Sequence, residues 1–374
     1  MEKLLPSYLR IEKVNAFRVT KPRLIGDIGL RAFLQLYKKA KQLIQSENID
    51  FLYIPVPSFY CALLGRWLHH STKIKYGIDY IDPWVHNFPG SDKIFSRHWL
   101  STKIARFLEP IAVKRASLIT GVAEGYYQGV AERNPHLLRQ AIWGAMPYGG
   151  EKADHEKLKN VHNLPYLFKK NSHKIQLVYA GAMLPKAYTV LEAIFQSIKA
   201  HPASFENIEF HFIGTGRIVN DPESFTIKPI AQKFGLWETT VFEYAQRIPY
   251  LDVLAHLHAA DGVFILGSTE PHYTPSKVYQ AVLAEKPLLA VLHSASSAKS
   301  VIEESGAGMV LAFNGERDLI NVSARFESTF NDYLIYLRNY QISKIDKAIF
   351  EQYSAYNVTA RLSDLLNQAV DNVV

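Results

Sequence analysis

One cysteine, Cys61, stands in a chain of 374 residues. That excludes an intrachain disulfide and a cysteine-built metal site, and it fits a reducing cytoplasm. Long apolar runs are missing as well. No stretch approaches the roughly 20 residues needed to cross a bilayer. The first 30 residues hold no signal-peptide core. No Asp-x-Asp triplet occurs, and the histidines His69-His70 and His256 with His258 lack cysteine or carboxylate partners at ligand spacing. No metal and no cofactor is therefore expected. After Gly214-Thr215-Gly216 no third glycine follows at dinucleotide-fingerprint spacing, which argues against a nicotinamide dehydrogenase.

Hydrophobic residues make up 48% and charged residues 21%, a soluble globular balance with enough chain for two cores. The formal net charge is +7, and it is unevenly placed. Residues 1–150 hold 21 Lys and Arg against 11 Asp and Glu, while residues 151–374 hold 21 against 24. A basic first half points to an anionic partner or to the inner face of a membrane, with plain solubility charge as the alternative. No nucleic-acid partner is expected.

Short apolar runs alternate with amphipathic stretches along the whole chain. Ile11–Val19, Phe51–Val56, Ile74–Ile81, Ser117–Val122 and Ala141–Met146 read as strands, with helices over Gly26–Ser46, Ser58–His70 and Ile94–Ala116. The last of these is basic. Its apolar residues, among them Trp99, Leu100, Ile104, Phe107 and Ile111, are expected to pack one face, leaving Lys93, Arg97, Lys103, Arg106, Lys114 and Arg115 in solvent. A second run follows with strands at Ile175, Ile208, Thr240, Gly262, Leu288 and Gly308. Residues 316–374 read as mostly helical, with a break near Ile342-Ser343. Strand–helix alternation predicts an α/β chain with two doubly wound parallel sheets. Ligands then bind outside the carboxyl ends of the strands.

Ser268 to Leu292 is the most informative stretch. A polar loop leads into a predicted three-turn helix that starts near Pro275-Ser276, with Pro275 suited to its first position. Lys277 in the first turn opposes the helix dipole. An anionic ligand explains it; a solvated lysine is the plainer alternative.

The ordered motifs Asp79-Tyr80-Ile81-Asp82-Pro83-Trp84, Met146-Pro147-Tyr148-Gly149-Gly150-Glu151, Tyr179-Ala180-Gly181 with Lys186, Phe212-Ile213-Gly214-Thr215-Gly216, Arg247-Ile248-Pro249-Tyr250 and Pro275-Ser276-Lys277 through Lys286-Pro287 resemble those of the GT-B retaining glycosyltransferases of family 4. The resemblance runs over roughly residues 74–330. It implies two Rossmann-like domains facing a cleft: residues 1–150 on the acceptor side, a linker at 151–173, a nucleotide-sugar domain at 174–340, and a helical segment at 341–374 packing back on the first domain. It implies a retaining, metal-independent transfer from a nucleotide-diphosphate sugar to a glycan or lipid-linked acceptor, with a peripheral contact at the inner membrane face. Asp82, Lys186 and Glu270 are the implied catalytic residues. Gly181, Gly214, Gly216, Ile248, Pro275, Ser276, Lys277 and Gln280 are the implied donor-binding residues.

The chain departs from the family pattern in three places. Gln280 stands where the family has the second of two glutamates, and the first falls on His272, with Glu270 two residues earlier. Ala182 stands where an arginine usually follows the loop glycine. Residues 1–25 do not resemble the family's first strand and glycine loop, so the first domain is expected to be incomplete at its start and to expose a strand edge. An impaired relative that binds nucleotide sugar without transfer is the alternative reading, and a sugar-nucleotide epimerase a weaker one.

Overall fold

The alternation of apolar runs and amphipathic stretches builds two parallel sheets. The computed structural model describes residues 8–19, 26–85, 93–158 and 165–371. The chain divides into two units, at 146/147 and again at 359/360.

The first unit carries β1 (Phe51–Pro55), β2 (Lys75–Tyr80), β3 (Leu118–Gly121) and β4 (Ile142–Ala145), parallel and in that order. Around them lie α1 (Ile28–Ser46), α2 (Ala62–Thr72), α3 (Arg97–Val113), α4 (Glu124–Arg133) and the one-turn α5 (Leu137–Gln140). Asp27 starts α1 by accepting from the Leu30 N–H at 2.7 Å, an N-cap bond. Tyr76, Ile78 and Tyr80 alternate along β2 and are fully buried. Gly65 lets α2 lie directly on the Tyr76 ring, since a Cβ there would sit 2.2 Å from a ring carbon. Among the described residues β1 pairs only with β2, which leaves one of its edges unpaired.

Two expectations fail in this unit. Ile11–Val19 is not a strand. The segment runs along α1 instead, held by a Glu12–Lys39 ion pair at 2.9 Å and by the Phe17 N–H donating to the Arg31 carbonyl at 3.1 Å. The apolar side of the basic helix is packed only in part: Val113 is buried and Trp99 and Leu108 are half-buried, and the basic residues are exposed as expected. Leu100, Phe107, Ile104 and Ile111 are exposed by 53%, 71%, 37% and 39%, while Ala105, Glu109, Ala112 and Val113 face inward. The reason is close approach. The Tyr76 hydroxyl reaches the Ala112 carbonyl at 2.7 Å, which holds the helix close to β2 at its Ala112 turn. The buried Glu109 is tolerated because Arg133 grips it through two bonds, at 2.8 and 2.9 Å.

The second unit begins with α6 (Lys152–Leu158), within the stretch expected as a linker. The six-stranded sheet follows: β5 (Ile175–Ala180), β6 (Ile208–Ile213), β7 (Val241–Tyr244), β8 (Gly262–Leu266), β9 (Leu288–His293) and β10 (Gly308–Phe313), in the order β10-β9-β8-β5-β6-β7, all parallel. Its helices are α7 (Ala187–Ala200), α8 (Lys228–Phe234), α9 (Tyr250–Ala259), α10 (Lys277–Leu283), α11 (Ser297–Glu304), α12 (Leu319–Arg338) and α13 (Lys347–Glu351); α14 (Ala355–Asp371) starts in this unit and runs on past the division at 359/360 into the first. Strand β8 is buried at every position, and its short apolar run reads accordingly. One face of the sheet packs on α7 and α12 through Phe195, Phe212, Phe264, Phe326 and Phe330. The other packs on α9, α10 and α11 through Leu254, Val278, Tyr279 and Ile302. The segment expected to pack back on the first domain is split by the division at 359/360. Its last part lies with the four-stranded unit, where Leu365 occupies the space a side chain at Gly144 would need.

Candidate functional site

The strand order reverses at β5. From β5 the chain moves outward to β6 and β7, then returns to lay β8, β9 and β10 on the other side. The loops after β5 and β8 diverge at this point, and their divergence opens a crevice outside the carboxyl ends of the strands.

The loop after β5 starts at Gly181. Its φ is +110°, a region that favours glycine. Its N–H donates to the Ile213 carbonyl at 2.7 Å, which ties the loop to the end of β6. A Cβ at Gly181 would lie 2.8 Å from Lys277 Cε, so a larger residue would block the path of that lysine. The Lys277 ammonium donates to the Ala182 carbonyl at 3.0 Å and sits 4.9 Å above the Tyr179 ring. Burial pulls its pKa down. Lys186, at the end of the same loop, lies 3.7 Å from the Glu270 carboxylate in the loop after β8. Two ammonium groups therefore flank the crevice, one at each end of the Gly181 loop.

The loop after β6 holds Gly214, at φ +70°, and Gly216. Both donate N–H to the chain leaving β7, Gly214 to Tyr244 at 2.8 Å and Gly216 to Ala245 at 2.9 Å. A Cβ at Gly216 would meet the Ala245 carbonyl at 2.5 Å. The organiser of this loop is Glu243, which sequence reasoning missed. Its buried carboxylate accepts from the Thr215 hydroxyl and from the backbone N–H groups of Thr226, Ile227 and Lys228, at 2.7 to 2.9 Å. No motif marks it, because its partners lie 15 to 28 residues away. Between these loops lies a cavity of about 770 Å³, lined by Tyr188, Arg217, Phe225 and Arg247 among others. Ile248 is half-buried and packs against the core beneath α9 and α10.

The loop after β8 differs from expectation at its end. The helix starts at Lys277 and spans seven residues, about two turns. Pro275 is buried and precedes it, and Ser276 takes the cap position without a side-chain cap bond. The helix is short because Glu285, at φ +56°, turns the chain into β9. Ser276, Lys277 and Gln280 share a cavity of about 180 Å³ with Tyr250 and Ala180.

Gln280 has partners that no sequence pattern announced. Its Oε1 lies 2.7 Å from His155 Nε2, and His155 Nδ1 lies 2.9 Å from His258 Nε2. His155 is buried, and its pKa is lowered by that burial against the opposing pull of Gln280, Asp154 and Glu285. Its partner Gln280 is 125 positions away, too far for spacing to reveal.

Asp82 is exposed in the turn after β2, in the first unit. The other candidates gather in the second. Among the described residues no group of three or more His, Cys, Asp and Glu side chains is placed to hold a metal ion.

No family model matches the sequence, and no curated protein does. Solved structures do. A UDP-forming α,α-trehalose-phosphate synthase from Burkholderia xenovorans superposes with a TM-score of 0.64 at 14% identity, over 92% of this chain and 79% of that one. Anabaena HepE in complex with UDP-glucose gives 0.61 at 13%, over 92% and 84%. A glycosyltransferase from Rickettsia africae gives 0.59 at 13%, over 91% and 82%. The fold is GT-B. In GT-B terms the first unit is a Rossmann-like α/β layer on four strands, and the second is one on six. The crevice described above belongs wholly to the second GT-B unit.

Proposed function

We propose that this protein is a glycosyltransferase that moves a sugar from a nucleotide-diphosphate sugar to a hydroxyl of a glycan or lipid-linked acceptor, with retention and without a metal. The observation that carries this reading is the pair of ammonium groups, Lys186 and Lys277, set around Gly181 at the switch point of the six-stranded sheet. A sugar-phosphate bond breaks with its electron pair leaving on a diphosphate, and positive charge already in place stabilises that developing charge. The acceptor oxygen bonds the anomeric carbon, and its proton passes to a diphosphate oxygen on the same face. Glu270, opposite Lys186, exchanges that ion pair for a sugar hydroxyl when the donor binds. HepE with UDP-glucose and the UDP-forming synthase support UDP-sugars as the first donors to try. Asp82 orients the acceptor or the donor sugar.

The acceptor side carries a membrane reading. Leu100, Ile104, Phe107 and Ile111 form one outward stripe on α3, and Lys103, Arg106 and Lys114 flank it in exposed positions. That is the pattern of a helix lying in an anionic lipid surface. It suits a lipid-linked acceptor at the inner face of the cytoplasmic membrane.

Incubating the purified protein with radiolabelled UDP-, GDP- and ADP-sugars tests the proposal. Release of free sugar or transfer to a lipid extract is expected with one donor class. No donor binding and no turnover would sink it. A second reading, binding without transfer, is favoured by one observation: the Gln280 carbonyl is already engaged by His155. Tight donor binding with no turnover at any acceptor would select that reading.

A further inference from the structure

In the first unit α2 packs against both α1 and α3. On their solvent side the three helices leave a cavity of about 370 Å³, lined by Tyr37 of α1, by Arg66, Trp67, His70 and Ser71 of α2, and by Ile111 of α3. That volume falls within the roughly 300–1,000 Å³ of small-molecule sites. The cavity continues the outward stripe of α3, because Ile111 is the last member of that stripe. Trp67 is 47% exposed, yet its ring is held edge-on by Phe33, at 5.0 Å between centroids, and by Tyr37, at 6.2 Å. An aromatic side chain with one face packed and a polar tip in water suits the headgroup level of a bilayer.

The charge around the cavity has one sign. Arg66 is half-buried, and among the described residues its guanidinium meets no carboxylate. The lining holds no acidic side chain. Neither does the neighbouring groove on α1, which shares Tyr37 and carries Lys38 and Lys41. Lys114 and Arg115 follow Ile111 in exposed positions. A partly desolvated charge without a counter-ion is unfavourable until an anion reaches it. The planar guanidinium fork matches a phosphate through two parallel N–H···O bonds.

We infer that this groove is a headgroup site for an anionic phospholipid in a bilayer. Arg66 donates to the phosphodiester, Trp67 and Tyr37 lie beside the glycerol, and Ile111 meets the start of an acyl chain. A choline headgroup would bring its own ammonium among Arg66, Lys38 and Lys41, and is disfavoured. The inference rests on the membrane reading of α3 and deepens it: the stripe adheres to the bilayer, and the groove selects the lipid.

Co-sedimentation of the full chain with vesicles of phosphatidylglycerol in phosphatidylcholine tests it. Arg66→Lys keeps the charge and removes the fork. It is expected to weaken binding about fivefold, through loss of one of two charge-assisted bonds. Arg106→Lys, at an exposed position on α3, is expected to stay within about twofold of wild type. Equal binding of wild type and Arg66→Lys overturns the headgroup site and leaves the membrane reading standing. If wild type pellets with no vesicle, both fall. Position has its own readout. Phosphatidylglycerol brominated near the top of its acyl chains should quench wild-type tryptophan emission, and Trp67→Phe less. Equal fractional quenching of the two proteins overturns the placement of Trp67 and the site with it. Binding of free glycerol 1-phosphate as tightly as vesicles would assign the groove to a soluble phosphate and overturn the lipid. Sedimentation velocity should show no dimer that Trp67→Phe dissociates; such a dimer would give the groove to a second copy of the chain.

Discussion

At the scale of single residues, the crevice turns on Lys277. Its ammonium is held by one carbonyl and one aromatic face, and burial already lowers its pKa. A bound diphosphate would supply the counter-charge that no ion pair among the described residues gives, and bonds to a charged group contribute about 1.5–3 kcal/mol each. Lys277→Met is therefore expected to weaken nucleoside-diphosphate affinity roughly ten- to a hundredfold in a titration. Thermal stability should hold or rise, since a desolvated charge is removed. Lys186→Met, with its ammonium paired to Glu270 at 3.7 Å, should lose less binding and more turnover. The sequence singled out both lysines and Gly181. It did not single out Glu243 or His155, because their roles come from partners brought up by other helices. It also set Pro275 inside a helix that in fact starts two residues later.

Element by element, α3 is where pattern and packing part. Its apolar residues recur at helical spacing, and the segment is a helix over Arg97–Val113. The period says which residues share a face and is silent on where the face points. Ala105, Glu109, Ala112 and Val113 take the inside, where Ala112 meets Tyr76, and Leu100, Ile104, Phe107 and Ile111 turn outward. Exposed apolar side chains of this size gain about 1.5–3 kcal/mol each on full burial. Leu100→Ser with Phe107→Ser should leave the fold intact. Co-sedimentation with vesicles containing phosphatidylserine should fall at least about tenfold for that pair, and wild-type binding should weaken as salt rises. Equal pelleting of the two proteins would remove the membrane reading of α3.

Across the whole molecule, stability is expected to depend on pH through two buried histidines of the second unit. His256 accepts the N–H groups of Tyr166 and Leu167 on Nε2, both at 3.1 Å, and donates from Nδ1 to the Asp252 carbonyl. It is held neutral, and burial lowers its pKa. His211 stacks on Phe168 at 4.4 Å, and burial lowers its pKa to about 4 despite Glu209. Unfolded histidines protonate near pH 6.5, where these two do not. The unfolded state then binds more protons, so stability is complete above about pH 6.5 and falls as pH drops toward 4. Denaturant melts at pH 7.5, 6 and 5 should show this loss. His256→Gln should flatten part of it, and a wild-type stability that is level across the range would refute it.

The sequence by itself determined the α/β class, the alternation of strands with helices, and the glycines and lysines after β5, β6 and β8. These are local properties: apolar period, turn chemistry and motif order act within a few residues. Only the tertiary structure decided which face of α3 meets solvent, that α6 joins the second unit, and that Glu243 ties down the Gly214 loop. It also decided that Gln280 is bonded to His155. Each of these depends on groups far apart in sequence that share one low-dielectric space. There a buried polar atom must find a partner, and a helix must fit the surface it is given.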